Sequence, residues 1–487
     1  HRGLGHIFPA VMHALSFYWH DYETFGLDTR RDRPAQFAGI RTNDKLEEIG
    51  EPLMIYCQPA PDYLPDPESC LLTGITPQRC LEKGLPEFAF AARIEEALAT
   101  PGTVGLGYNT IRFDDEVTRF LLWRNLYDPY AREWQNDCSR WDLLDVVRTT
   151  YALRPEGIEW PLNEEGNRSF KLEHLTAANG IAHATAHDAL SDVRATIALA
   201  RFIRDKQPRL FDFCFSLRKK DRVLTEIGWP ERRPFLHVSG MFPAERGCIS
   251  IVWPLAEHPT NKNELIVWDL AHDPSELFTL DIEAIRRRLF TRNDELPIGE
   301  SRLPIKGIHI NKSPIVVGNL KTLTPEMAER WGLNLTVAMK HMQSCQNAPD
   351  MRAIWTTVYE RSDDSRVDVD ADLYGGFIGN NDRRLLARLR NLSPEKLALE
   401  RVSFEDGRLE ELLHRYRARN FRATLNAQEA ARWEELRAGR LFDGLGGART
   451  LDVFGATLDR LAEHANEHQL GILSALSDYA ESIIPDG

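Results

Sequence analysis

The chain has 487 residues, of which 27% are charged and 43% hydrophobic, and its 60 Lys and Arg against 73 Asp and Glu leave a net charge of −13. Globular domains run to about 100–200 residues, so this length predicts two to four domains with cores of their own and argues against a disordered chain. The acidic balance argues against a nucleic-acid-binding protein, which a basic excess would indicate.

The cysteines and the lengths of the apolar runs further limit the class of protein that the sequence can encode. The seven cysteines contain no Cys-x-x-Cys pair and are too few for a disulfide scaffold, so we expect reduced thiols in a cytoplasmic protein. No run of about 18 apolar residues occurs, which argues against a membrane-spanning helix. The chain opens with His1, and we expect Met12 to be the natural start, with residues 1–13 non-native or disordered.

Short apolar and alternating runs near the start predict β-strands, with helices following. The strands are expected at 14–19, 36–41, 53–57 and 103–108. Helices are expected at 88–98, 113–127, 141–151, 172–179 and 189–206. Thr76 is expected to cap a further helix that begins at Pro77. This order predicts an α/β domain with a mixed sheet over residues 14–208.

The pattern changes after Pro208. β-like runs at 235–238, 248–253 and 265–268, the last two separated by a polar turn, predict a hairpin in a small barrel or sheet. From about residue 360 the chain is rich in Arg, Glu and Leu at helical spacing, most clearly at 410–419 and 428–440. We therefore expect a β-containing middle domain at 209–359 and a helical C-terminal domain at 360–487.

Asp21 and Glu23 end the first predicted strand, directly after its apolar part. Alternation along a strand puts residues i and i+2 on one face, so both carboxylates can point to one place. Two anionic groups held together require cations between them, and hard divalent ions take oxygen ligands. On its own, the pair is also typical of a solvated strand end.

Two further acids and a histidine lie at predicted helix starts. Asp114 stands where the fourth strand turns into a helix, and it is also typical of a first-turn acid favoured by the helix dipole. Asp188 is expected to cap the last helix of this domain, which leaves His187 just before that helix and Asp192 one turn inside it. A histidine there can simply be exposed, but beside the water of a metal site it can act as a general base.

Taken together, these residues form a signature. Asp21, Glu23, Asp114 and Asp192, with His187 five residues before the last, resemble the DEDD exonucleases that use a histidine base. The likeness extends along nearly the whole chain, in segments similar to the bacterial exonuclease I family. These segments are HDYETFG at 20–26, RPAQFA at 33–38, TGITPQ at 73–78, RWDLLD at 140–145, YALRPEG at 151–157, HVSGMF at 237–242 and YRARNF at 416–421.

The resemblance implies a ribonuclease H-like exonuclease domain, an SH3-like middle domain and a helical C-terminal domain that together wrap single-stranded DNA. It also implies 3′→5′ hydrolysis of that DNA to 5′-mononucleotides, in repair and recombination. Asp21, Glu23, Asp114 and Asp192 would hold two Mg²⁺ ions about 4 Å apart, with Mn²⁺ as an alternative ion. His187 would take the proton of the attacking water, and Glu23 would also contact the substrate.

The resemblance further implies contacts to the DNA strand, which needs cations for its phosphates and flat rings for its bases. The matching positions are Arg119, Tyr130, Trp134, Arg148 and Lys171. From the residues alone, Arg119 could also lie on a solvated helix face, and Tyr130 or Trp134 could be core. Lys171 departs from the arginine usual in the family, so we expect a weaker contact without the bidentate fork.

A protein partner is also implied, namely the acidic, hydrophobic tail of single-stranded-DNA-binding protein, with Arg154 as the candidate for the tail's carboxylate. We expect a monomer. A basic run near the C-terminal helices, Arg415, Arg417, Arg419 and Arg422, is typical of a solvated helix face, and alternatively it helps to close the DNA channel.

Three other functions fit parts of the sequence. An exoribonuclease of the same fold would share the chemistry, but such relatives are little more than the catalytic domain, whereas this chain has about 280 further residues. A non-catalytic single-strand-binding module would keep the fold, but the presence of all four carboxylates and the histidine argues against an inactive site. An acidic scaffold protein would leave the motifs unexplained.

Overall fold

The computed structural model describes residues 12–362 and 366–486, and these group into two compact units. The first unit contains residues 12–139, 183–194 and 366–486, and the second contains 140–182 and 195–362. Most of the segment predicted to be non-native or disordered, residues 1–11, lies outside the described residues. His13 is placed, since its backbone N–H donates to Asp137 Oδ2 over 3.2 Å.

The first unit contains four strands of a five-stranded mixed sheet and the first residue of the fifth. The strands of this sheet are β1 Ser16–Thr24, β2 Pro34–Thr42, β3 Glu48–Tyr56, β4 Thr103–Leu106 and β5 Ser139–Arg140. The strand order is β3-β2-β1-β4-β5, with β1 antiparallel to β2 and parallel to β4. The sheet confirms the predicted mixed α/β class.

Strand β1 contains the two acids that the sequence places at its end. The polar residues after the apolar run 14–19 continue the ladder with β2, where Asp21 pairs with Ala38 and Glu23 with Gln36. Alternating polar and apolar side chains suit a strand as well as an apolar run does, because successive side chains face opposite sides. Asp21 and Glu23 are therefore held inside a paired strand.

The helices follow the predicted order, and one of them begins and ends at the predicted residues. The earlier helices are α1 Pro67–Thr73, α2 Pro77–Lys83, α3 Glu87–Ala99, α4 Asp114–Arg124, α5 Leu143–Leu153, α6 Leu172–Ala178, α7 Ala189–Lys206, α8 Pro208–Ser216 and α9 Lys220–Ile227. Helix α7 has the limits predicted from the sequence. Thr76 caps α2 as expected, because its hydroxyl accepts from the backbone N–H of Arg79 over 3.3 Å.

The second unit contains an antiparallel sheet. Its strands are β6 Phe235–Val238, β7 Ile249–Glu257, β8 Glu264–Asp269, β9 Ile305–His309 and β10 Ile315–Val317, in the order β10-β6-β7-β8-β9. The predicted hairpin is confirmed, since β7 and β8 pair antiparallel across the polar turn. Helices accompany this sheet: α10 Ile282–Phe290, α11 Pro325–Arg330, α12 Leu335–Gln346 and α13 Arg352–Val358.

The C-terminal residues are helical, as predicted, and belong to the first unit. The helices are α14 Asn380–Arg390, α15 Pro394–Leu399, α16 Arg408–Asn420, α17 Ala427–Asp443, α18 Leu451–Ala462 and α19 Glu467–Ser482. Leu473 and Leu476 of α19 share a buried core with Phe25 and Cys80, and Leu412 of α16 shares another with Phe120 and Trp123. Burial of these apolar side chains holds the C-terminal helices against the part of the unit that contains the mixed sheet.

The part of the basic run that lies on α16 is buried, so the expectation of a solvated face is wrong for three of the four arginines of the run. Arg415 is 6% exposed, Arg417 is 8% exposed, and the side chain of Arg419 is 3% exposed. The side chain of Arg422, in contrast, is 58% exposed. Carboxylates distant in sequence explain the burial of Arg415 and Arg419, and Arg417 pairs with Glu429. Asp62, Asp368 and Asp370, which we call the arginine-bound cluster, pair with Arg415, Arg419 and Arg440.

The state of the cysteines and the apolar character of the helices bear on the predicted class of protein. All seven cysteines are buried thiols. In the part of the chain that the structure describes, no helix combines the length and the apolar character needed to cross a bilayer.

Candidate active site

The first unit brings three of the predicted carboxylates together. Asp21 and Glu23 lie on one face of β1, and Asp192 lies in the first turn of α7. One ligand oxygen from each side chain lies within 4.8 Å of the other two. Over residues 12–362 and 366–486, these three form the one group of His, Cys, Asp or Glu side chains found close enough to share a metal ion. We call Asp21, Glu23 and Asp192 the carboxylate cluster.

A helix cap places Asp192. The Asp188 carboxylate oxygen Oδ2 accepts from the backbone N–H of Ser191 over 3.0 Å, and its carbonyl accepts from the N–H of Asp192 over 2.9 Å. This confirms Asp188 as the N-cap, and such a cap satisfies backbone donors that the first helical turn leaves unpaired. The turn that carries Asp192 is fixed as a result.

Asp114 lies beside the carboxylate cluster and holds the strand between its two acids. It is the first residue of α4, as expected for a first-turn acid, and it is buried. Its Oδ1 accepts from the backbone N–H of Tyr22 over 2.9 Å, and Tyr22 is the residue between Asp21 and Glu23. The structure thus places the fourth predicted carboxylate next to the other three, on the backbone that carries two of them.

The electrostatics of the carboxylate cluster are unfavourable for three anions. Burial raises the pKa of Glu23 to about 9, and the nearby charges of Asp21 and Asp192 add to the effect. Burial also raises the pKa of Asp21 well above its ordinary value, with Asp114 and Asp192 contributing next. Carboxyl groups that repel one another in a buried place bind protons or cations strongly.

Two histidines precede Asp192 on the segment that leads into α7. His187, the predicted base, has an exposed side chain and a backbone φ of +64°, in the left-handed region that histidine adopts more often than most residues. His183 was not singled out from the sequence, although its Nε2 lies 2.6 Å from Asp192 Oδ1 and its side chain is only 7% exposed. No spacing rule links the two positions, so only the fold could find this contact.

The predicted DNA-contacting residues of the first unit lie in different surroundings. Arg119 is 5% exposed and pairs with both carboxylate oxygens of Glu133, at 2.9 and 2.6 Å, so it does not lie on a solvated face. Its guanidinium lies 4.9 Å from the centre of the half-buried Tyr130 ring. Trp134 is 65% exposed, which rules out the core alternative for this side chain. Their contacts with DNA stay predictions.

The second unit contains the other predicted binding residues. The guanidinium of Arg148 donates to Asp145 over 3.1 Å and lies against Gly240, where a Cβ atom would sit 2.6 Å from Arg148 Cζ. Lys171 is exposed immediately before α6. Arg154 is half-buried, and its Nη1 donates to the carbonyl of Thr322 over 3.2 Å. Their roles in binding DNA or a protein tail stay predictions.

The chemistry of the carboxylate cluster fits a divalent cation. Such hard ions bind carboxylate oxygens, and a cation would offset the repulsion that raises the pKa values of Asp21 and Glu23. A mixed α/β sheet that carries these acids, with a histidine on the adjoining segment, defines the class of divalent-metal-dependent exonucleases. The match of residues 18–200 to a family model described as "Exonuclease" agrees with this class.

Further matches define the family. Residues 218–361 match the exonuclease I SH3-like domain and residues 367–483 the exonuclease I C-terminal domain. Exodeoxyribonuclease I of Escherichia coli K12 is 46% identical over 473 residues, covering 96% of this chain and 98% of that protein. The chain therefore belongs to the exodeoxyribonuclease I family and is a nuclease, as the sequence predicted.

Solved structures agree with this assignment. Exonuclease I from Methylocaldum szegediense, described as moderately thermophilic, superposes with a TM-score of 0.92 at 48% identity, covering 97% of this chain and all of that one. A zinc-bound E. coli exonuclease I complex with single-stranded DNA gives a TM-score of 0.91 at 45% identity, again covering 97% of this chain and all of that one. These likenesses confirm the predicted fold class.

Proposed function

We propose that the protein hydrolyses single-stranded DNA from its 3′ end and releases 5′-mononucleotides, in DNA repair and recombination. The observation that carries the proposal is the carboxylate cluster, in which one oxygen from each of the three buried or half-buried acids lies within 4.8 Å of the other two. Membership of the exodeoxyribonuclease I family supports DNA as the substrate, as does the relative crystallised with single-stranded DNA. The limits 14–208, 209–359 and 360–487 remain our proposed domain boundaries.

Two Mg²⁺ ions, or Mn²⁺ in their place, are the proposed cofactors. When bound, such ions polarise a phosphodiester, lower the pKa of a water and stabilise the leaving oxygen. Asp21, Glu23 and Asp192 supply oxygen ligands from one strand and one helix turn, which sets their spacing before any ion arrives. Asp114 completes the group and holds the Tyr22 backbone, so the two strand acids cannot shift independently.

Other side chains accept the proton of the attacking water and bind the DNA strand. His187 accepts the proton of the attacking water at a ring nitrogen, which its exposed position on the segment before α7 permits. Glu23 also contacts the terminal nucleotide. The exposed ring of Trp134 and the neighbouring Tyr130 offer surfaces on which bases stack, while Arg119, Arg148 and Lys171 supply positive charge for phosphates.

The proposed partner is the acidic, hydrophobic C-terminal tail of single-stranded-DNA-binding protein. Arg154 is the proposed contact for the tail's carboxylate, since a guanidinium pairs with a carboxylate through two parallel hydrogen bonds. We propose that the protein acts as a monomer in the cytoplasm, and the seven buried thiols are consistent with a reducing compartment.

The test uses three substrates labelled at the 5′ end: single-stranded DNA, duplex DNA and RNA of one sequence, each with Mg²⁺ and with or without chelator. We expect a ladder that shortens from the 3′ end, only on single-stranded DNA and only with free Mg²⁺. Faster shortening of RNA would identify an exoribonuclease, and binding without shortening would identify a single-strand-binding module. Internal cuts, or activity that ignores the chelator, would also overturn the proposal.

A matched pair of variants localises the activity. Asp21→Asn removes one charge from the carboxylate cluster on β1, whereas Glu51→Gln makes the same kind of change at an exposed position on β3 of the same sheet. We expect the ladder to disappear in the first variant and to persist in the second.

A further inference from the structure

His183 lies against a proposed metal ligand. Its Nε2 is 2.6 Å from Asp192 Oδ1, and the side chain is 7% exposed, so the contact is largely shielded from water. A carboxylate that ligates a cation is ionised and only accepts hydrogen bonds, so in the metal-bound site the bond runs from a hydrogen on His183 Nε2 to Asp192. A short hydrogen bond to a charged group in a shielded place is stronger than a neutral, exposed one.

The surrounding segment is fastened to the first turn of α7 at several points. The backbone N–H of Thr185 donates to Ser191 Oγ over 3.0 Å, and that of Ser191 donates to the Asp188 carboxylate over 3.0 Å. Together with the His183 contact, these bonds connect residues 183–188 to the turn that carries Asp192. The segment that carries His183 is thus connected to this turn through Thr185 and Asp188 as well as through the His183 ring.

We propose that His183 is a positioning residue, which fixes the Asp192 carboxylate so that it presents an oxygen to the cation beside Asp21 and Glu23. A carboxylate has two oxygens and about four acceptor positions, so one hydrogen bond leaves Asp192 able to ligate an ion. Hydrogen bonds from outside the ligand shell orient ligating side chains, and their loss typically costs about 10–100-fold in metal affinity or activity. This inference rests on the proposed metal-dependent hydrolysis.

The two histidines of the segment therefore have separable tasks. His183 acts on metal affinity through Asp192, whereas His187, with its exposed side chain, acts on the proton of the attacking water. Loss of a general base typically lowers the rate by about 10²–10⁴-fold, and it leaves the affinity for the ion unchanged. The two effects differ in kind, so they can be told apart.

The experiment compares the wild-type protein with His183→Ala, His183→Leu, His183→Gln and His187→Ala. Hydrolysis of single-stranded DNA is followed across a Mg²⁺ titration, and Mn²⁺ binding without DNA is followed by electron paramagnetic resonance. For His183→Ala we expect the half-saturating Mg²⁺ concentration and the Mn²⁺ Kd to rise about 10–100-fold, with kcat at saturating metal retained. Glutamine retains a donor amide, so His183→Gln should behave much like the wild type.

Other results would overturn the inference. These are wild-type metal affinity in His183→Ala, a loss of kcat at saturating Mg²⁺ like that of His187→Ala, or an equal defect in His183→Gln. If His183→Ala does not fold, His183→Leu, which fills the space without a donor, takes its place; failure of both to fold would show a merely structural role. If the wild type itself hydrolyses nothing, the proposed function fails, while Mn²⁺ binding still decides the role of His183.

Discussion

The first unit contains two groups of three acidic side chains that differ in what neutralises them. In the arginine-bound cluster, burial would raise the pKa of Asp370, but Arg419, Arg440 and Arg415 lower it well below its ordinary value. In the carboxylate cluster, burial and neighbouring acids raise the pKa of Glu23 to about 9. The same type of side chain, buried in the same unit, thus has its pKa shifted in opposite directions.

Geometry explains the contrast. Asp370 Oδ2 accepts from a guanidinium nitrogen of Arg415 at 2.9 Å, of Arg419 at 2.5 Å and of Arg440 at 2.7 Å. The charges that act on Glu23 are instead those of other carboxylates, Asp21, Asp192 and Asp188. A folded chain that holds mutually repelling carboxyl groups together loses stability there, and such places are typically functional. The comparison teaches that repulsion among neighbouring acids, where the other cluster has guanidinium groups, marks the site.

The largest expected effect is the loss of hydrolysis on neutralising one member of the carboxylate cluster. Asp21→Asn should lower kcat by about 10³-fold or more, because a ligand and its charge are both removed. In chelator the same change relieves repulsion, so the thermal unfolding midpoint should stay equal or rise. Unreduced activity, or a fall of several degrees in that midpoint, would contradict the contrast between the two clusters.

The corresponding change in the arginine-bound cluster should lower the stability of the fold and leave kcat unchanged. Asp370→Asn leaves buried guanidinium groups without their partner, which costs about 3–5 kcal/mol of unfolding free energy. Urea unfolding measures this cost, and kcat of the folded fraction should be retained. Arg422→Gln is the control on the same region, because its ion pair with Glu434 is exposed and is worth about 1 kcal/mol or less. Equal effects of the two variants would refute the assignment.

The stabilisation from the arginine-bound cluster should depend on pH in one direction. The pKa values of Asp62 and Asp370 are lower in the folded state than their ordinary values, so their contribution is complete above about pH 4 and is lost as the pH falls below it. The free-energy difference between the wild type and Asp370→Asn should stay constant from pH 7 to 5 and shrink below pH 4. A difference that shrinks between pH 7 and 5 would contradict this account.

A smaller effect is expected from adding the ion itself. Mg²⁺ at about 100 times its Kd should stabilise the wild type by about 2.7 kcal/mol, because it binds the folded state alone. This gain in unfolding free energy should vanish in Asp21→Asn and persist in Asp370→Asn. The two variants make the same kind of change and differ in the cluster that they alter. Calorimetric unfolding with and without Mg²⁺ measures it, and an equal shift in both variants would show that the ion binds elsewhere.

Local patterns in the sequence predicted much of the site. Alternation put Asp21 and Glu23 on one face of a strand, and cap chemistry identified Asp188 and the limits of α7. These features depend on neighbouring residues, which is why they could be read along the chain. The register in which the residues after Trp19 pair with β2 is, in contrast, a contact that only the fold supplies.

Contacts between residues far apart in the chain could not be predicted from local sequence patterns. Arg419 lies 357 residues from Asp62, so the run on α16 looked solvated although its partners bury it. His183 was missed for the same reason, since its distance from Asp192 depends on how the segment folds back. The net charge of −13 argued against a nucleic-acid enzyme, and membership of the exodeoxyribonuclease I family overturns that expectation. A total charge does not report how charges are arranged.

The central claim is that the carboxylate cluster binds a divalent cation, and anomalous diffraction from crystals soaked in Mn²⁺ tests it most directly. The wild-type crystal should show an anomalous peak bonded to oxygens of Asp21, Glu23 and Asp192, and crystals of Asp21→Asn should show that peak lost or strongly reduced. A wild-type crystal without a peak at the cluster, at a Mn²⁺ concentration that supports hydrolysis, would contradict the account.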